Sequence, residues 1–237
     1  MLVAVISDIH ANYPALQSVL GEIDTLSADL IVCAGDLVGY GPHPNQVVKA
    51  LVERNIQSVR GDFDQAVIRG GIPSSSEVPY RVRLLKEKSL SWTLDALEPS
   101  AGSYLAELSK TMSFSARGRH VFVAHASPRS MSSGIPEDRP SATLRRLFGQ
   151  TQAHVIILGH THTPFHRTVE GRHLVNPGSV GFPLDRDRRA SFSLIEFNDR
   201  VEVHMYRVEY DVEATVRDMR EAGLPDALIS GLASGWI

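Results

Sequence analysis

Five short apolar segments of the sequence each lead to a side chain that can bind a metal ion. These side chains are three aspartates and four histidines: Asp8, His10, Asp36, Asp62, His125, His160 and His162. An aspartate after a strand is often only a turn or helix cap, and a single histidine is more often a core or surface residue than a ligand. Five segments that end alike, two of them in a pair spaced two residues apart, favour a shared metal site.

Three carboxylates and four imidazoles exceed the needs of one ion and suit two divalent ions that share a bridging carboxylate. Such a pair makes hydroxide available near neutral pH and neutralises the charge that builds on phosphoryl oxygens during in-line attack. Nitrogen and oxygen ligands without sulfur suit Mn, Fe, Zn, Co or Ni. The single cysteine, Cys33, lies within an apolar run and is expected in the core.

The elements that would position these residues alternate between strands and helices. Residues 2–7, 30–34 and 56–59 are predicted strands, and helices are predicted to begin near Pro14 and Pro44. This βαβαβ order predicts a parallel sheet with right-handed crossovers. Ligands bind outside the carboxyl ends of the strands in such a sheet, so we expect the candidate ligands to converge there.

The remainder of the chain is predicted to be a helical segment followed mostly by strands. Residues 70–76 form a predicted flexible loop, and the helical segment over 80–108, broken near Pro99 and Gly102, could cap the sheet within a region spanning 70–110. We treat the chain as one domain, 1–237, whose apolar tail, 224–237, docks on the domain or, as the alternative, on another subunit. Strands are predicted over 112–116, 120–124, 154–158, 165–169, 173–175, 191–197 and 201–208, and a helix over 211–221.

Composition narrows the class of protein. The 237 residues carry a net charge of -3, and the sequence pI is about 6.4, so no strong nucleic-acid surface is expected. The first residues lack the features of a signal peptide, and no apolar run approaches the roughly 20 residues that a membrane span needs. We therefore expect a cytoplasmic protein. The predicted two-ion site suits a small phosphate ester as substrate, with nucleotides as one class, and the apolar tail hints at a homo-oligomer.

Several motifs, taken in order, resemble those of the calcineurin-like metallophosphoesterase family. They are Asp8-x-His10, Gly35-Asp36, Gly61-Asp62-Phe63-Asp64, His125 and Gly159-His160-x-His162, and residues 35–42 and 176–181 look like a bacterial and archaeal phosphodiesterase branch. The resemblance covers about residues 1–208. It implies an α/β fold in which a sandwich of two mixed β-sheets is flanked by helices, in four α/β/β/α layers.

The resemblance also implies roles for the candidate ligands. One metal would be held by Asp8, His10, Asp36 and His162, and the other by Asp36, Asp62, His125 and His160. Asp36 would bridge the two ions, and Asp36, Asp62 and His125 are the predicted catalytic residues. This reading makes the protein a hydrolase with a preference for phosphodiesters.

The third motif departs from the family pattern, which usually reads Gly-Asn-His-Asp. Asp62 replaces a neutral amide with a carboxylate, which should bind the second ion more tightly and make it a weaker Lewis acid. Phe63 replaces the histidine thought to protonate the leaving group, a transfer commonly worth about 10²–10⁴ in rate. We therefore expect slow hydrolysis of alkyl esters. Asp64, left without a histidine to orient, is expected to be a helix N-cap.

Two other functions stay open at this point. One is a phosphomonoesterase or a nucleotide or protein phosphatase, and the other is a catalytically weak interaction scaffold of the same fold, to which Phe63 points. The loop of Asn176 and residues 178–181 either approaches the site or only turns the chain. Three side chains follow ligand motifs and could contact substrate, although a structural role is favoured for each: Tyr40, His43 and Arg129. Three arginines are expected on a solvated face: Arg186, Arg188 and Arg189.

Overall fold

The computed structural model describes residues 1–72 and 79–236. The loop predicted over 70–76 lies outside the described residues from residue 73 onward, and so does part of the predicted cap region over 70–110. Within the described ranges, ten strands form two five-stranded sheets, and the sheets pack against each other through valine, isoleucine and phenylalanine side chains. Within the described residues, none of the helices combines the length and the hydropathy that crossing a bilayer requires.

The first sheet has the spatial order β10-β9-β1-β2-β3 and contains both parallel and antiparallel pairs. β1 pairs in parallel with β2 and antiparallel with β9, and β2 pairs in parallel with β3. The predicted βαβαβ unit is therefore confirmed. The strands are β1 (Leu2–Ile6), β2 (Leu30–Cys33), β3 (Gln57–Ser58), β9 (Ala190–Phe197) and β10 (Val201–Val208).

The second sheet has the spatial order β4-β5-β6-β8-β7. Its three inner strands run parallel, and the two edge strands pair antiparallel with their neighbours. The strands are β4 (Thr111–Ala116), β5 (Arg119–Ala124), β6 (Val155–Ile157), β7 (Phe165–Val169) and β8 (Arg172–Asn176).

In the part of the chain that the structure describes, eight helices flank the sandwich. They are α1 (Tyr13–Leu26), α2 (Pro44–Glu53), α3 (Asp62–Arg69), α4 (Tyr80–Ala96), α5 (Pro99–Glu107), α6 (Ser141–Thr151), α7 (Val212–Glu221) and α8 (Asp226–Ser234). The first five helices pack on the first sheet, and α6 packs on the second sheet. This is the predicted four-layer α/β/β/α arrangement of two mixed sheets flanked by helices.

The burial pattern of β1 shows how sequence produces these layers. Val3 and Val5 face the second sheet, whereas Ala4 and Ile6 face the helices, and all four are fully buried. A strand covered on both faces must be apolar at every position, because successive side chains point to opposite faces. The continuous apolar run at the start of the chain meets this requirement.

Two helical features differ from the predictions, the break in the helical segment and the presence of α6. The helical segment breaks only at Leu97 and Glu98, and Gly102 lies inside α5. Helix α6 was not predicted, although Leu144, Leu147 and Phe148 have helical spacing and bury one face of it. The apolar tail forms α8, which packs on α7 around a shared cluster of buried side chains.

Candidate metal centre

The structure brings all seven candidate ligands together at the carboxyl ends of five strands. The strands come from both sheets, not from the edge of one open sheet as the sequence suggested. In the first sheet, β1 leads to Asp8 and His10, β2 leads to Asp36, and β3 leads to Asp62. In the second sheet, β5 leads to His125, and β6 leads to His160 and His162. The centre therefore lies at the junction between the two sheets.

One half of the centre consists of Asp8, His10 and His162, all buried. The Nε2 atoms of the two histidines are 3.1 Å apart, and the Nε2 of His162 lies 3.3 Å from the Oδ1 of Asp8. Three donor atoms at such separations can all reach one ion.

The other half consists of Asp62, His125 and His160. The Oδ1 of Asp62 lies 3.1 Å from both the Nε2 of His125 and the Nδ1 of His160, and these two nitrogens are 3.2 Å apart. Asp62 and His160 keep about a fifth of their side chains exposed, 21% and 20% respectively, whereas His125 is fully buried. This half is the one that opens to solvent.

Asp36 lies between the two halves. Its Oδ2 is 3.6 Å from the Nε2 of His10 in one half and 3.4 Å from the Nε2 of His125 in the other. Its Oδ1 accepts a hydrogen bond from the backbone N–H of Phe63 at 2.8 Å, which fixes the orientation of the carboxylate. This position suits a carboxylate that contacts ions on both sides.

Backbone carbonyls orient three of the four imidazoles. The Nδ1 of His10 lies 3.3 Å from the carbonyl oxygen of Val38, and the Nδ1 of His125 lies 2.8 Å from that of Ala34. The Nδ1 of His162 contacts the carbonyl oxygen of Phe182. A carbonyl oxygen only accepts, so each Nδ1 carries the proton and each Nε2 can present a lone pair to the centre. This pattern of donors fits a divalent ion that prefers nitrogen and oxygen ligands.

The backbone at the centre is strained. Five of the candidate ligands have φ in the left-handed region, which costs a non-glycine residue roughly 1 kcal/mol or more. The values are 52° for Asp8, 47° for His10, 54° for Asp36, 68° for His160 and 58° for His162. Such outliers cluster where function requires a particular orientation of the side chain, and these turn the chain sharply after the strands.

Burial and charge act in opposite directions on the aspartates. Burial opposes the charge of Asp8, yet His162, His125 and His10 outweigh it and hold the pKa of this carboxyl below its usual range. Burial likewise opposes ionisation of Asp62, but hydrogen bonds from His125 and His160 keep its pKa well below the ordinary value. Both carboxylates are therefore charged and available as ligands.

The imidazoles respond differently to the same environment. Burial lowers the pKa of His10 to about 4, so this ring is neutral. The pKa of His125 and that of His162 are raised despite their burial, by Asp36 for the former and by Asp8 for the latter. In the metal-free protein these two rings therefore keep a second proton up to a higher pH than an ordinary histidine does, and an arriving cation must displace that proton where it is present.

Asp64 holds two ligand loops together. Its carboxylate accepts hydrogen bonds from the backbone N–H groups of Leu37, Val38 and Gly61, at 2.9, 3.2 and 2.9 Å. The prediction that Asp64 is an N-cap is wrong, because Gly61 is the N-cap of α3 and Asp64 reaches back to it from the third helical position. The side chain thereby ties the loop after Asp36 to the helix that begins at Asp62.

Phe63 and Tyr40 form an apolar wall beside the first half of the centre. Phe63 is 2% exposed and meets the Tyr40 ring edge-on at 5.2 Å, and Tyr40 stacks on the His10 ring at 4.4 Å. Gly39 makes room for this packing, because a Cβ there would lie 2.3 Å from the Phe63 ring. Burial raises the pKa of Tyr40 to about 12, so its phenol is neutral.

Lys86 is a residue of the site that the sequence analysis missed. It projects from α4, and its Nζ lies 3.7 Å from the Oδ2 of Asp62. Tyr40, Asp62 and Asp36 raise the pKa of Lys86, so the ammonium stays charged at neutral pH. No local signal marks this lysine, because it lies within a helix far from every recognisable motif.

The loop after β8 braces the ligand loops. The side chain of Asn176 donates to the oxygen of Gly159 at 2.8 Å, and the hydroxyl of Ser179 donates to the oxygen of Asp8 at 2.7 Å. Gly181 donates its N–H to the same oxygen of Asp8 at 3.1 Å. Of the two alternatives, the loop approaches the site, and it does so by holding the backbone of the ligands.

The remaining residues singled out in the sequence lie away from the centre or on its rim. The Nε2 of His43 lies 3.0 Å from the Oδ2 of Asp218 on α7, and Arg129 is exposed. The three arginines expected on a solvated face, Arg186, Arg188 and Arg189, are all exposed, and the guanidinium of Arg186 lies 5.1 Å from the centroid of the Trp236 ring. Cys33 is buried, as expected.

Comparison with known proteins gives consistent matches across the chain. The model of a family described as the calcineurin-like phosphoesterase superfamily domain matches residues 1–200. The uncharacterized protein MJ0912 of Methanocaldococcus jannaschii is 29% identical over 242 residues, covering 96% of this chain and 95% of its own.

Solved structures match over nearly the whole length. The crystal structure of a metallophosphoesterase from Sphaerobacter thermophilus is 32% identical, covers 99% of both chains and has a TM-score of 0.79. The crystal structure of hypothetical protein PH1004 from Pyrococcus horikoshii OT3 is 24% identical, covers 99% of this chain and 98% of that one, and has a TM-score of 0.86. At that lower identity the likeness shows the fold alone.

Proposed function

This chain belongs to the calcineurin-like phosphoesterase superfamily, and from that premise we propose that it hydrolyses phosphodiester bonds at a site that holds two divalent metal ions. The observation that carries the proposal is the position of Asp36, whose Oδ2 lies within 3.6 Å of an imidazole nitrogen in each half of the centre. Each half offers its own set of three donors, and one carboxylate joins them.

The residues have distinct roles in this proposal. Asp8, His10 and His162 would hold one ion, Asp62, His125 and His160 the other, with Asp36 shared between them. Two such ions supply a water acidic enough to attack near neutral pH and positive charge for the phosphoryl oxygens. The chain itself keeps the Nδ1 protons of His10, His125 and His162 against backbone carbonyls and excludes water from the inner half by burial.

Phe63 supports the preference for diesters with good leaving groups. It provides no proton donor at the third motif, so a leaving group must depart with little protonation by that position. Manganese is the first ion to try among Mn, Fe, Zn, Co and Ni, because three of the seven candidate ligands are carboxylates, which suit manganese. We keep a small phosphate ester, with nucleotides as one class, as the proposed substrate and the cytoplasm as the proposed location.

The test compares bis-p-nitrophenyl phosphate with p-nitrophenyl phosphate as substrates of chelator-stripped protein, with and without added Mn²⁺. We expect metal-dependent turnover that favours the diester and that is lost in Asp36→Ala, with about two ions bound per wild-type chain. Asp95→Ala is the matched control, because Asp95 is an exposed aspartate on α4.

Three outcomes would count against parts of the proposal. Faster turnover of the monoester would favour a phosphomonoesterase or a nucleotide or protein phosphatase. A single bound ion per chain would reject the dinuclear site. Folded protein that hydrolyses neither compound with any of the five metals would favour an interaction scaffold.

A further inference from the structure

The open end of the metal centre is formed by Asp62, His160 and Lys86. Their side chains are 21%, 20% and 26% exposed, whereas Asp8, His10, Asp36, His125 and His162 are between 0% and 6% exposed. Lys86 therefore lies on the side of the centre that is exposed to solvent. The two oxygens of Asp62 face different partners here, since Oδ1 contacts the imidazoles and Oδ2 contacts the ammonium.

The net charge of the centre favours an additional cation such as the ammonium of Lys86. Two divalent ions would exceed the three carboxylates of Asp8, Asp36 and Asp62 by only one positive charge, enough to match one phosphodiester anion. Further negative charge develops on the phosphoryl oxygens as a nucleophile adds. Among residues 1–72 and 79–236, Lys86 is the one lysine or arginine whose charged nitrogen lies within 4 Å of a carboxylate oxygen of a candidate ligand.

We propose that Lys86 is a substrate-binding residue whose ammonium contacts a phosphoryl oxygen at the open end of the centre, which rests on the function proposed above. The ammonium is a mobile point charge on a four-carbon stem, a common way for proteins to bind phosphate. Its position 3.7 Å from Asp62 leaves it short of a tight ion pair, so it can turn toward an incoming anion. The helical segment that carries it thereby contributes directly to substrate recognition.

A competing role for Lys86 is to neutralise Asp62 and nothing more. The two roles differ in what a neutral replacement does. Loss of a phosphate contact weakens anion binding and leaves metal binding intact, whereas loss of a neutralising charge strengthens metal binding at Asp62 and leaves anion binding unchanged. Both quantities can be measured without turnover.

The experiment measures binding of inorganic phosphate to Mn²⁺-loaded protein by calorimetry, and binding of Mn²⁺ to the stripped protein, for Lys86→Met, Lys86→Arg and Lys88→Met. Lys88 is an exposed lysine on the same helix and is the matched control. We expect Lys86→Met to bind phosphate about ten- to a hundredfold more weakly and to bind Mn²⁺ at least as tightly as wild type. Lys86→Arg should retain most of the affinity for phosphate, and Lys88→Met all of it.

Unchanged phosphate affinity in Lys86→Met, or a loss that only parallels weaker Mn²⁺ binding, would overturn the proposal, as would wild-type protein that binds no phosphate. The fate of the proposed function is separate. Wild type that hydrolyses diesters while Lys86→Met binds phosphate normally would reject the role of Lys86 alone. Wild type that binds phosphate through Lys86 but hydrolyses no ester would reject the function alone.

Discussion

The backbone N–H of Phe63 donates a hydrogen bond to the Oδ1 of Asp36 at 2.8 Å. Phe63, which stands where the resemblance implies a histidine, thus supports the carboxylate between the two halves of the centre. The support comes from the backbone, so the phenylalanine side chain can be exchanged without removing it. The contribution of the side chain to leaving-group departure can therefore be tested separately from its contribution to the site.

Substituting Phe63→His should speed the hydrolysis of diesters with alkyl leaving groups by about tenfold or more, since an imidazole there could donate a proton. The rate with bis-p-nitrophenyl phosphate, whose leaving group needs no proton, should change little. The measurement is the ratio of kcat/KM for the two classes of diester. Phe63→Leu serves as the control for lost packing, and an equal ratio in both variants would show that no acid is missing at this position.

Substituting Asp64→Ala should lower the free energy of unfolding by about 2–4 kcal/mol, because it leaves the buried N–H groups of Leu37, Val38 and Gly61 without an acceptor. Asp64→Asn keeps one acceptor oxygen and should lose less. Urea denaturation of the metal-free protein measures both changes. If the two variants unfold alike, the acceptor oxygen that Asn keeps adds nothing to the free energy of unfolding, which would contradict the expected difference.

Removing residues 224–237 should destabilise the chain itself. The deletion strips Leu228, Ile229 and Leu232 from the cluster shared with α7 and Phe182, at roughly 1.5–3 kcal/mol for each side chain. It should also weaken metal binding, because the carbonyl of Phe182 orients His162. Thermal unfolding and Mn²⁺ titration test the two effects.

Trp236→Ala is the control for this deletion, since Trp236 is 54% exposed and should cost about 1 kcal/mol or less. The molar mass of the shortened protein in solution, compared with that of the full chain, also tests the predicted homo-oligomer. A truncated chain that keeps its stability and its metal affinity but changes its mass would assign the tail to a subunit contact instead.

Metal affinity should fall as the pH is lowered through the range in which His125 and His162 take up protons, which extends above the ordinary histidine pKa of 6.5. The carboxylates of Asp36 and Asp8 raise the pKa of His125 and His162 against the effect of burial, so protons compete with the cation up to a higher pH than at an ordinary histidine. Binding of Mn²⁺ should then release protons. Calorimetry in buffers of different ionisation enthalpy counts them, and binding that releases none at neutral pH would contradict the raised values.

Much of the fold and the candidate ligand set could be predicted because both follow from local rules. Apolar runs of strand length predict strands, and a metal-binding side chain after each run places it at a strand end. Which sheet each strand joins is not a local property. Residues 2–6 and 155–157 are equally apolar, yet β1 and β6 lie in different sheets.

The details that determine the chemistry were harder to predict. The left-handed backbone at His160 and His162 depends on the loops around it, because histidine adopts that conformation more often than most residues but still in a minority of cases. Lys86 reaches Asp62 only through the packing of α4, which no spacing within the sequence encodes. Helix α6, in contrast, was available from the spacing of Leu144, Leu147 and Phe148.

The position of β1 has a consequence for how the protein is made. This first strand lies at the centre of its sheet, between β2 and β9, and β9 begins only at Ala190. At typical rates of about 5–20 residues per second, one edge of β1 waits on the order of ten seconds on the ribosome for its partner. The groups that hold the oxygen of Asp8, at Ser179 and Gly181, emerge equally late. Loading with metal is therefore expected to be one of the last events in the maturation of the chain.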